Sequence, residues 1–110
     1  MDTEINSQPR VNSARLGDFV GRIVRLVCKV ERIKVNSAIV RASDHGQIEV
    51  TSTMPLEEQI SGTFVEFIGS VEDSSTVKMQ ACIPLGTDLD MDLVNDCINM
   101  THDPRFQNIF

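Results

Sequence analysis

The chain has 110 residues, 41% of them hydrophobic and 24% charged, enough to bury roughly 65% of its unfolded surface around one core and too little for a second. No apolar run approaches the ~18 residues of a membrane span and the composition is not that of a disordered tail, so a soluble single domain without a membrane partner is expected. The net charge of −6 argues against a free-standing nucleic-acid clamp, yet it is polarised: residues 1–55 carry eight Lys or Arg against six acids, residues 56–110 two against ten.

Val (12) and Ile (10) outnumber Leu (6) and Ala (4), which favours strands because β-branched side chains suit a pleated surface. Residues 1–9 are polar, aperiodic and closed by Pro9, the pattern of a mobile tail. Asn12 or Ser13 caps a short helical turn that sets Leu16, Phe19 and Val20 on one face before Gly21, the shape of a plug. From Arg22 to Val35, Val24, Leu26, Cys28 and Val30 alternate with Arg25, Lys29 and Glu31; Ile23, Val27 and Ile33 break the pattern, which demands a bulge or a covered outer face. Turns at Asn36-Ser37 and Asp44-His45-Gly46 lead into strands over 38–43 and 47–52. Residues 56–62 make a short excursion of one helical turn, and strands resume over 63–73, with Gly69 marking a bend or close backbone approach, and over 76–83, ended by Pro84. This is a mostly β inventory over residues 10–85 followed by a C-terminal α-helix; five strands with a short link between the third and fourth match the five-stranded OB-fold barrel, a strand count that other small barrels share.

The last element changes period. Thr87-x-x-Asp90 is a capping signal, acids crowd the helix start, and Asp103-Pro104 is the stop, giving a helix within 86–103 and a tail over 104–110. At about 100° per residue, Leu89, Leu93, Val94, Cys97, Ile98, Met100 and Thr101 collect on one half, with Asp90 of the capping turn as the only intruder, and Asp92, Asn95, Asp96, Asn99 and Asp103 on the other. That arc is wider than the ~100° stripe a helix needs on a single core. A second packing partner is expected, with Leu89, Leu93, Cys97 and Met100 as the seam of a helix-to-helix interface. The plainer alternative is a helix packed wholly on its own barrel.

Three widely spaced cysteines in apolar context, Cys28, Cys82 and Cys97, together with an N-terminus that lacks a basic-plus-apolar leader, predict buried thiols in a reducing compartment. No metal or cofactor site is expected: the Cys and His residues lack ligand spacing, and the Asp88-x-Asp90-x-Asp92 run has Leu93 and Asn99 where a calcium loop needs Gly and Glu. Nucleophile elbows and phosphate loops are missing, so the chain reads as non-enzymatic; a small hydrolase built around His102 is the rival from that class. Stacking of single-stranded nucleic acid needs aromatics on the second and third strands, which carry none. The basic cluster Arg22, Arg25, Lys29, Arg32, Lys34 and Arg41 reads as a solvated strand face, with Arg25, Lys29, Lys34 and Arg41 as candidates for weak phosphate contacts. A stand-alone single-strand binder is the runner-up function.

With the elements assigned, the chain resembles the family of smallest subunits of replication protein A, the eukaryotic single-stranded DNA-binding heterotrimer. The resemblance runs from about Arg10 to His102 and is carried by the order of RVN at 10–12, VERI at 30–33, SDHGQIEV at 43–50, PLEEQISG at 55–62 and FVEFIGSV at 64–71. Met91 stands where the family often has an aromatic. The resemblance implies an OB-fold whose terminal helix joins one helix from each of the middle and large subunits in a three-helix bundle. It also implies contact with single-stranded DNA mainly as part of the complex, residence in the nucleus, and service in replication, repair and recombination. On this sequence the bundle role falls to Leu89 through Thr101.

Overall fold

The chain alternates short polar turns with runs in which every second residue is apolar, and in the computed structural model, which describes residues 8–60 and 62–106, each run becomes one wall of a barrel. The elements are β1 (Arg10–Val11), α1 (Ser13–Leu16), a 3-10 turn (Gly17–Phe19), β2 (Ile23–Ile33), β3 (Ser37–Ala42), β4 (Gln47–Thr51), β5 (Phe64–Asp73), β6 (Thr76–Gly86), α2 (Met91–Thr101) and a second 3-10 turn (Pro104–Phe106). Strand order is β1-β2-β3-β4-β6-β5, and β5 pairs back onto β2. The five long strands therefore close on themselves in the OB topology. The additional strand β1, two residues long and parallel to β2 at Arg25 and Leu26, has no sequence signature at that length. Of the expected tails, residues 1–7 and 107–110 lie outside the described residues.

Register puts the alternating residues where the sequence places them. Val24, Leu26 and Cys28 of β2, Ala38, Val40 and Ala42 of β3, and Val65, Phe67 and Val71 of β5 share one interior cluster with Leu16 from α1 and Leu56 from the β4–β5 connection. Burying each of the larger side chains contributes about 1.5–3 kcal/mol. The irregularity anticipated in β2 is resolved in both ways at once. A bulge lies between Val30 and Arg32, and Val27, on the outer face, is only 6% exposed. Gly69 sits at a register shift, and a Cβ there would run into the carbonyl oxygen of Lys78. In the β4–β5 connection, the Gln59 and Ile60 amides both reach the Leu56 carbonyl (3.0 Å each), which is the expected single helical turn.

Three expectations are corrected. Val20 is exposed instead of joining the plug. β6 continues through Pro84 to Gly86; beyond Lys78 it pairs with β5 alone, and a strand with an open edge accommodates a residue that has no N–H. Of the cysteines only Cys28 is buried, Cys82 is half-buried and Cys97 is exposed. Removal from water pushes the Cys28 thiol well above its ordinary value, with smaller contributions from Cys82, Glu66 and Asp44.

Outside the interior cluster, the Glu66 carboxylate of β5 is 3% exposed. It accepts from Arg10 Nε at 2.7 Å and from an Arg25 terminal nitrogen at 3.3 Å. That pair of contacts ties β1 to the barrel wall and holds the Arg10 guanidinium above its usual range, chiefly through the hydrogen bond to Glu66.

Candidate functional site

Asp90, three residues after the expected start, is the true N-cap of α2: its Oδ1 accepts from the Leu93 amide at 3.1 Å. Leu89 therefore precedes the helix. At the other end His102 closes the last turn through its own amide to the Asn99 carbonyl (3.2 Å), and Pro104 follows two residues on.

The side of α2 that meets the barrel is its amide side. Asn12 caps α1 through its Oδ1, which accepts from the Arg15 amide at 3.3 Å. Its Nδ2 donates to Asn95 Oδ1 (2.8 Å) and to Asn99 Oδ1 (3.1 Å). Ser43 Oγ donates to the same Asn95 oxygen at 3.1 Å, and Arg15 donates to Asn99 Oδ1 at 3.2–3.3 Å. The flanks repeat the pattern. His45 Nε2 donates to Asp92 Oδ1 at 2.9 Å, and His102 Nε2 donates to the Arg10 carbonyl at 2.8 Å while its ring packs edge-on against Phe19. Asn12 and Ser43 are buried, and none of the buried side-chain polar atoms described lacks a partner, so each of these groups recovers what it gave up to water.

This anchoring face is a correction, because a helical wheel places its polar residues toward solvent. Asn95 and Asn99 are an i, i+4 pair, which puts them on one side of the helix but does not name Asn12 as their partner. His102 is correspondingly engaged with a main-chain carbonyl, not with a Ser or Cys nucleophile as the hydrolase reading requires.

With the amides turned inward, most of the expected apolar seam faces away. Leu93 is 59% exposed and Met100 38% exposed, and Cys97 lies exposed between them, a row at i, i+4 and i+7. Val94 and Thr101 are half-buried on one border of that row, and Leu89 is half-buried before the helix. Ile98 is a correction. At 2% exposure it is covered by the chain's own body and is withdrawn from any surface offered to a neighbour. It follows Asn95 by three residues and precedes His102 by four, which puts it on the same side of the helix as the contacts that seat α2.

The candidate phosphate-binding cations do not converge. Arg25 is committed to Glu66, and Arg41 to Glu31 at 3.1 Å and the His45 carbonyl at 3.0 Å. Lys34 lies at the β2–β3 turn, its amide donating to the Ser37 carbonyl. Lys29 and Arg41 do share a groove of about 470 Å³ with Phe64 and His45, but the same groove is lined by Glu31, Asp90 and Asp92; Arg41 pairs with Glu31 and His45 with Asp92, and Lys29 faces a wall with more acids than free cations. Phe64 and Phe67 are both buried, which leaves no stacking surface on β5.

A small closed barrel with a terminal helix whose apolar row is turned outward defines an OB-fold protein of the kind that works inside an assembly. The chain matches the Replication factor A protein 3 family over residues 1–110 and belongs to it. It is 28% identical to Replication factor A protein 3 of Schizosaccharomyces pombe, with 93% of each chain covered, and 29% identical to a 14 kDa Replication protein A subunit of Arabidopsis thaliana, with 91% of each covered. Among solved structures it is similar to a chain of U. maydis replication protein A bound to ssDNA, at 33% identity, 94% of each chain and a TM-score of 0.81. The telomere capping protein Ten1 of S. pombe superposes with a TM-score of 0.69 at 12% identity over 87% of this chain and 98% of that one, a likeness of fold.

Proposed function

We propose that this chain is a non-catalytic scaffold subunit of a replication protein A heterotrimer, a single-stranded DNA-binding complex serving replication, repair and recombination in the nucleus. The barrel over residues 10–85 is the body, and the helix within 86–103 joins the middle and large subunits in a three-helix bundle. One observation carries the reading: α2 is fixed to its own barrel by amide hydrogen bonds, which leaves Leu93, Cys97 and Met100 for other helices. The family membership and the relative's presence in a complex with ssDNA support it. DNA binding by the complex rests mainly on the larger subunits, with weak, salt-sensitive phosphate contacts from Lys29 and Lys34, which enter none of the ion pairs among the described residues.

Co-expression with the two larger subunits tests the reading. Leu93→Asp changes an exposed residue, so the lone variant keeps wild-type stability within about 0.5 kcal/mol, yet it no longer co-purifies with its partners. A variant that stays in the complex at wild-type yield contradicts the proposal. Tight, length-dependent oligonucleotide binding by the lone chain favours the stand-alone binder instead.

A further inference from the structure

The outward row of α2 has unequal borders. On the helical wheel Asp96 lies beside Leu93 and Met100, with Asp92 one turn earlier on the same border, whereas Val94 and Thr101 occupy the opposite border. The Thr101 hydroxyl is already donated to the Ile98 carbonyl at 2.7 Å, and the one carboxylate at the start of that border, Asp90, is engaged in capping the helix. α2 contains no Lys or Arg at all. The nearest following cation, Arg105, is paired with Asp103 at 2.8 Å. Asp96 is exposed and enters none of the ion pairs among the described residues.

We propose that this surface selects its occupant by charge: the helix that lies against the Leu93–Met100 edge carries Lys or Arg beside its own apolar seam, facing Asp96. The inference rests on the assembly reading above and adds to it the chemistry of the partner. A second copy of this chain is the disfavoured occupant. It brings no cation from α2 to Asp96 in any orientation, and a head-to-tail pairing sets acidic border against acidic border, the arrangement that flanking charges use to reject a partner. The border with Val94 and Thr101 has a carboxylate only at its N-cap end, Asp90, whose Oδ1 already accepts from the Leu93 amide, so it accepts a helix chiefly by packing, and the two partner helices of a bundle are distinguished by which edge they occupy.

The test compares wild type, Asp96→Asn, Asp96→Lys and Leu93→Asp in association with the larger subunits across a salt series, after denaturation midpoints of the lone variants confirm folding. Rim charges act chiefly on association rate and its salt dependence. Asp96→Lys is expected to associate several-fold more slowly at low ionic strength, Asp96→Asn to fall between it and wild type, and all three to converge as salt screens the border. An Asp96→Lys variant with the rate and salt slope of wild type overturns charge selection. Loss of Leu93→Asp from the complex in that same experiment shows the assembly reading intact, whereas its retention removes both. Sedimentation of the lone wild-type chain supplies the other arm: stable self-association at low salt overturns the exclusion of a second copy.

Discussion

The barrel and the helix that follows it obey opposite rules. Inside the barrel every strand turns Val, Ile, Phe or Leu inward and its polar residues outward. α2 turns Asn95, Asn99 and His102 toward the body and Leu93 and Met100 away from it, with Ile98 as its buried apolar side chain. The difference separates two tasks that one apolar surface could not perform together. Packing builds a core but consumes greasy area, at about 1.5–3 kcal/mol for each large side chain. Amide hydrogen bonds contribute only about 0.5–1.5 kcal/mol each, but they fix direction and leave the apolar row unspent.

The largest expected effect comes from the barrel side of that comparison. Phe67→Ala opens a cavity at a fully buried position and should cost about 3–5 kcal/mol, read as a shift in the denaturant midpoint of the lone chain with β-sheet and helix signals lost together. A helix that survives loss of the barrel refutes the dependence of α2 on its seat. A smaller, local effect is expected at the seat itself. Asn12→Ala removes the α1 cap and both bonds to α2, about 2 kcal/mol on the usual scale of caps and amide bonds. Hydrogen exchange should rise more in Met91–Thr101 than in β2 to β6. Uniform acceleration over all elements means that Asn12 stabilises the whole fold and not the helix.

Much of this is legible in the sequence, and the exceptions share a cause. Period-2 alternation locates all five barrel strands, Gly69 announces a close approach that the Lys78 carbonyl supplies, and the helix period isolates the row seen exposed. What pattern does not reveal is partnership between polar groups far apart in sequence. Asn12 and Asn99 are 87 positions apart, and Arg10 and Glu66 are 56 apart, so Asn99 resembles a solvent residue and Glu66 an ordinary outward charge. The same blindness makes the basic strand face look like one field, whereas Glu66 and Glu31 each claim one of its arginines. β1 escapes because two residues carry no period, and Ile98 because a wheel shows an arc without showing where it is divided.

The smallest effect tests how the seat is positioned, through a carboxylate whose hydrogen bonds go to neither the core cluster nor α2. Asp44, in the β3–β4 turn, accepts from Ser13 Oγ at 2.7 and 2.8 Å, from the Ser13 and Ala14 amides at 3.2 and 3.0 Å, and from the Gly46 amide at 3.3 Å. It thereby sets the first turn of α1, and α1 presents Asn12 to α2. Burial alone would raise the Asp44 pKa, but the bonds from Ser13, Ala14 and Gly46 outweigh it and hold the group below its ordinary value. A carboxyl lowered on folding contributes stability above its unfolded value of about 3.9 and loses it as pH falls through the folded value. Asp44→Asn should therefore be less stable than wild type at neutral pH, and the gap should narrow on the acid limb, measured as denaturant midpoints between pH 7 and pH 2. A gap that stays constant across that range would mean that the ionised form of Asp44 has no part in orienting the cap, leaving the amide contacts of Asn12 to position α2 without it.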